Sequence, residues 1–78
     1  MSITVYSKPD CVQCAATYRE LNKSGIDYDI VDVSEDTDAY NHVVALGYKQ
    51  IPVVETSEDH WSGYRPDKIA KLAGASCD

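Results

Sequence analysis

Ile3, Val5 and their neighbours form a short β-favouring run that stops at Ser7-Lys8-Pro9-Asp10, where proline and aspartate end a strand and begin a turn. From Val12 to Ser24 helix formers take over. Cys14, Tyr18 and Leu21 recur at steps of four and three on one face, and Gly25 suits the position just past the end. Asp27 to Val33 sets Tyr28 and Ile30, with Val31 and Val33 in looser register, among acidic residues, which predicts a second strand. Ser34 or Asp36 can cap a second helix from Asp36 to Leu46, with Ala39, Tyr40, Val43, Val44 and Leu46 at the 3.6 period and Gly47 as its stop. Ile51-Pro52-Val53-Val54-Glu55 reads as a strand that proline enters only at its first position or on an edge, because it has no ladder donor. Residues 56–59 make a turn, and His60-Trp61 a short returning strand. Pro66 fits the first turn of a last helix, Asp67 to Ala73, with Ile69, Leu72 and Ala73 on one face. Residues 74–78 show no period and are expected to be a disordered tail.

The order β-α-β-α-β-β-α predicts an α/β fold. The first unit should be a right-handed parallel crossover and the last two strands an antiparallel hairpin, giving a mixed four-stranded sheet flanked by three helices. With 78 residues the chain makes one domain, placed at residues 1–73, and an apolar fraction of 44% with 26% charged residues argues against disorder. Thirteen acidic against seven basic residues leave a net charge of −6, a field that repels a phosphate backbone, so nucleic acid is not an expected partner. No run approaches the ~20 apolar residues that span a bilayer. The N-terminus lacks a basic segment followed by a long apolar one, so a cytoplasmic protein that engages no membrane is expected. Nothing signals an oligomer, and a monomer is expected.

Three cysteines, two of them in Cys11-Val12-Gln13-Cys14, do not make a secreted disulfide framework; they point to redox or metal chemistry. Cys11 and Cys14 fall where the first strand meets the first helix. Unpaired N–H groups and the positive end of the helix dipole favour an anion there, so a Cys11 thiolate is stabilised. A three-residue offset brings two α-carbons within the ~4.4 to 6.8 Å a disulfide allows, so the bond can open and close without moving the backbone. As a staple it is poor, since so short a loop contributes only about 2 kcal/mol in the chain-entropy model. Zinc is the rival use of the spacing, with Cys77, His42 and His60 as the remaining ligand candidates, but no second CxxC or HxxxH follows. Lys8 adds positive potential near the thiolate and Asp10 opposes it. Base rates favour a trans bond before Pro52.

Cys11-Val12-Gln13-Cys14 after Ser7-Lys8-Pro9, together with Ile51-Pro52-Val53-Val54 and Trp61-Ser62-Gly63-Tyr64-Arg65-Pro66, resembles the NrdH-type redoxins, glutaredoxin-like proteins with thioredoxin-like behaviour. The likeness runs from Met1 to about Ala73, and the Trp61–Pro66 segment is its most specific part. It implies a thioredoxin-like fold, a cis peptide at Ile51-Pro52 facing the cysteines, electron delivery to class Ib ribonucleotide reductase, and re-reduction by NADPH through thioredoxin reductase. Cys11 and Cys14 are then the catalytic pair. Cys11 attacks a partner disulfide, Cys14 resolves the mixed disulfide, and no cofactor is bound because the dithiol is the carrier. Lys8, Val12, Gln13, Pro52, Trp61, Ser62, Gly63, Tyr64, Arg65 and Pro66 become the expected support and partner-binding residues. Glutaredoxins proper carry a CPYC-type site and a glycine-rich glutathione-binding segment, and this chain departs from both. A glutathione-dependent glutaredoxin is the first alternative, and a metal or iron-sulfur module the second. Cys77 is expected to be a free thiol.

Overall fold

The computed structural model describes residues 3–57 and 59–76, with side chains as far as Leu72 in the last helix. Four strands, β1 (Thr4–Ser7), β2 (Asp29–Asp32), β3 (Val53–Glu55) and β4 (His60–Ser62), alternate with three helices, α1 (Val12–Lys23), α2 (Thr37–Ala45) and α3 (Pro66–Ser76), in the order the periodicity predicts. The sheet runs β2-β1-β3-β4. β1 and β2 are parallel, while β1 with β3 and β3 with β4 are antiparallel. This is the mixed sheet of a thioredoxin-like fold.

Side-chain alternation along the strands gives each face its own core. Val5, Val54 and Trp61 lie in register across three strands and pack with Ile3, with Leu21 of α1 and with Ile69 of α3. On the opposite face Tyr6, Val31 and Val53 meet Ala39 and Val43 of α2, with Val33 beside them. Burying a side chain such as Leu21 or Ile69 contributes roughly 1.5 to 3 kcal/mol, so these few positions carry much of the fold.

Several expectations shift. Ile30 is 54% exposed. It shares a row with Val5 but is the outermost position of that row on an edge strand, so β2 buries Val31 partly and leaves Ile30 to solvent. α2 lays only Ala39 and Val43 against the sheet; Tyr40 and Val44, one position further around the helix, are about half-exposed because each step turns the side chain through about 100°. β3 begins at Val53, after a buried Pro52. α3 extends through Ser76, so residues 74–76 are helical and not part of a tail; Cys77 and Asp78, and the side chain of Ala73, lie outside the described residues. Among the described residues no helix is long and apolar enough to cross a membrane.

Candidate active site

Between β1 and α1 the chain reverses over residues 8–11. Asp10 takes a left-handed conformation (φ 57°), and Cys11 follows in an extended one (φ −105°, ψ 112°) as the N-cap of α1. In that position its Sγ accepts the backbone N–H of Cys14 at 3.2 Å, doing with sulfur what serine or aspartate oxygens do at other helix starts. The first turn of α1 carries no acidic side chain, so the helix end keeps its positive potential. Cys11 and Cys14 form a disulfide with α-carbons 5.1 Å apart. Both cysteines border an open hollow of about 600 Å³ with Lys8, Pro9, Asp10, Val12, Ala15 and Tyr18, but Cys14 is only 2% exposed whereas Cys11 is half-buried. The helix therefore presents one sulfur and covers the other.

Two further segments meet this loop. The Ile51 carbonyl lies 4.0 Å from Cys11 Sγ, and the Ile51-Pro52 peptide is cis, as the family resemblance implies and base rates do not. Gly63 donates its N–H to the Pro52 carbonyl at 2.7 Å. Its φ of 81° is the reason for glycine, because a Cβ there would meet only Gln13 Oε1, at an ordinary 3.6 Å. Cys11, Gln13, Pro52 and Gly63 thus converge on one end of the sheet.

The other expected residues divide. Val12 is 84% exposed beside Cys11, and Tyr64 is also exposed, so both offer apolar surface. Trp61 does not: it is 5% exposed in the core with Val54 and Ile69, because its strand row faces α1 and α3. Its place is support from beneath, not contact. Ser62 belongs to the β4 ladder opposite Val53. Pro66 opens α3, and the Arg65 carbonyl accepts the N–H groups of Lys68 and Ile69. The Arg65 guanidinium is bound by Asp67 through Nε at 3.2 Å and Nη2 at 3.0 Å, which raises its pKa and lowers that of Asp67.

His42 and His60, the histidine candidates for the rival zinc site, are engaged elsewhere. His42 Nε2 pairs with Glu55 Oε1 at 2.9 Å, and His60 Nδ1 with the Tyr48 hydroxyl at 2.6 Å. Tyr6 also donates to Glu55, at 3.1 Å. Burial works to raise the Glu55 pKa, but the hydrogen bonds from His42 and Tyr6 and the positive charge of the two histidines outweigh it and hold the carboxyl below its ordinary value. Burial, and then Glu55, push the Tyr6 phenol up. Sequence reasoning missed Thr17, which is fully buried about one turn after Cys14 and donates its hydroxyl to the Gln13 carbonyl at 2.9 Å. It falls three positions after Cys14 and four before Leu21, the spacing of the buried stripe. The more apolar Tyr18 beside it drew the assignment.

Known proteins share this arrangement. The family model Glutaredoxin matches residues 3–61. The glutaredoxin-like protein NrdH of Escherichia coli (strain K12) is 42% identical over 72 residues, covering 92% of this chain and 89% of that protein. The chain belongs to the NrdH group of glutaredoxin-like proteins. The NrdH of Lactococcus lactis subsp. lactis (strain IL1403) is 34% identical over 71 residues, covering 91% of this chain and 99% of its own. In three dimensions the NrdH-redoxin of Escherichia coli superposes with a TM-score of 0.90 at 42% identity, over 92% of this chain and 95% of the other. As an NrdH redoxin with a CxxC disulfide, the protein is a disulfide oxidoreductase.

Proposed function

We propose that this redoxin passes two electrons from a Cys11/Cys14 dithiol to the disulfide of a class Ib ribonucleotide reductase in the cytoplasm, and is re-reduced by NADPH through thioredoxin reductase. The observation that carries the reading is the likeness to NrdH relatives along nearly the whole chain. In the first step the Cys11 thiolate attacks one sulfur of the partner disulfide. A bond from Cys11 to that sulfur forms, the partner S–S bond breaks, and the departing partner thiolate takes up a proton. Cys14, deprotonated, then attacks Cys11 Sγ. The internal disulfide forms, the mixed disulfide breaks, and the second partner thiol is released, so the dithiol is oxidised as the partner is reduced. The exposure difference between the two sulfurs and the N-cap hydrogen bond on Cys11 support this order. Lys8, Val12, Gln13 and Tyr64 would rim the partner contact, with Pro52 and Gly63 shaping it.

The match to the Glutaredoxin family model favours one rival, reduction by glutathione. Glutathione selection needs fixed donors for two carboxylates, and the one arginine of the Trp61–Pro66 segment is already bound to Asp67. The solved NrdH-redoxin from Escherichia coli is described as having a thioredoxin-like activity profile, which supports thioredoxin reductase here as well. NADPH oxidation with a disulfide substrate, run once with thioredoxin reductase and once with glutathione plus glutathione reductase, decides between them. Faster turnover with thioredoxin reductase is expected. Equal or faster turnover with the glutathione system would make the protein a glutaredoxin in function as well as in family.

A further inference from the structure

We propose that Asp10 is a positioning residue for the nucleophilic sulfur: its left-handed backbone sets Cys11 as the cap of α1, and its carboxylate restrains the thiolate, which keeps the dithiol a stronger electron donor. The inference rests on the reading of Cys11 as the nucleophile and adds to it a residue that sets its driving force. Among the described residues Asp10 is the one non-glycine at positive φ. A side chain there is disfavoured for most residues, and glycine, asparagine and aspartate tolerate it best. The turn thus explains a choice among three residues but not why the charged one is present. The Asp10 side chain makes no hydrogen bond or ion pair among the described residues that would employ the charge in holding the loop. It is exposed, and it is the one carboxylate lining the hollow that Cys11 shares.

The consequence follows from charge. The Cys14 N–H and the helix end stabilise a Cys11 thiolate, and a negative charge on the preceding residue opposes them. Stabilising the thiolate stabilises the reduced form and makes a redoxin more oxidising, so the carboxylate acts in the reducing direction. The other ionisable groups on the segments meeting at Cys11 include Lys8 and Tyr18, which line the same hollow, Lys49 on the segment leading to Ile51, and Tyr64 and Arg65 after Gly63, the arginine already bound by Asp67. Asp10 is the negative member of that set left without a counter-ion.

Asp10→Asn keeps the left-handed tolerance and removes the charge. In this variant the pH midpoint of iodoacetamide alkylation, with the modified cysteine located by mass mapping, is expected to fall by about half to one unit. The thiol–disulfide equilibrium with glutathione should move about three- to ten-fold toward the dithiol, roughly 15 to 30 mV. The difference from the parent should shrink at 1 M KCl, where charges are screened within about 3 Å. Asp10→Gly should behave like Asp10→Asn. An unchanged midpoint and equilibrium in both variants, with Cys11 still the alkylated residue, would overturn the tuning role. Alkylation at Cys14 in the parent protein would instead overturn the assignment of the nucleophile, and this inference with it.

Discussion

Cys14 is placed to resolve the mixed disulfide, not to open the reaction: its sulfur is almost wholly covered, and its own N–H is spent on Cys11. Replacing it by serine should therefore leave the first exchange intact and block the second. Cys14→Ser is expected to accumulate a mixed disulfide through Cys11 with a ribonucleotide reductase subunit, visible on non-reducing gels and by mass. Full multiple-turnover activity of that variant would rule out the two-cysteine mechanism. Thr17 acts at the same scale. Its buried hydroxyl holds the Gln13 carbonyl, and Thr17→Val keeps the shape while removing the donor. A loss of about 1 kcal/mol in denaturant unfolding is expected, since the i−4 carbonyl it leaves remains in the helix ladder.

At the level of elements, α2 is held to the sheet by two buried side chains, Ala39 and Val43, and its N-terminus is fastened by Asp36, whose Oδ1 accepts the Ala39 N–H at 3.0 Å. Asp36→Ala should cost about 1 kcal/mol, read as a fall of roughly 4 to 8 °C in Tm for a domain of this size. α2 is also tied to β3 through His42 and Glu55, and this tie depends on pH. The Glu55 pKa is lowered in the folded protein, so its contribution is present above the ordinary value of 4.5 and is lost as pH falls through the folded value. Glu55→Gln should be less stable than the parent at pH 7, with the two Tm curves converging as the pH drops below about 4. A gap that persisted at pH 3 would mean that packing, not charge, holds Glu55 in place.

For the molecule as a whole, a two-sided core built from short strands leaves little redundancy. Ile69 is fully buried on the face that also holds Trp61 and Leu21, so it ties α3 to the sheet and the segment from Gly63 to Pro66 behind the cysteines. Ile69→Ala should cost about 2 to 5 kcal/mol, against a total of about 4 to 12 for a chain of this length, and slow turnover by loosening the Gly63–Pro52 contact. Measured by urea unfolding alongside NADPH oxidation, loss of stability with unchanged turnover would show that this segment is independent of the core beneath it.

The amino-acid sequence by itself determined the element order, the helix starts, the stops of α1 and α2, and the placing of Cys11 and Cys14 at a helix start; it ended α3 too early, because neither a glycine nor a period marks the stop at Ser76. These rest on local chemistry: a 3.6-residue period, a serine or aspartate at a cap, a glycine past an end. The parallel β1–β2 and antiparallel β3–β4 pairings were legible too, because connection length dictates them, whereas the antiparallel β1–β3 pairing was not. Tertiary structure alone decided the strand order, which makes β2 an edge and exposes Ile30, and it decided which of two adjacent apolar residues on α2 faces the sheet. It also turned Trp61 inward, selected Thr17 for burial, and joined Gly63 to Pro52 across the site. Each of those depends on what lies opposite in space, and a period along the chain shows which residues share a face but not which face another element will cover.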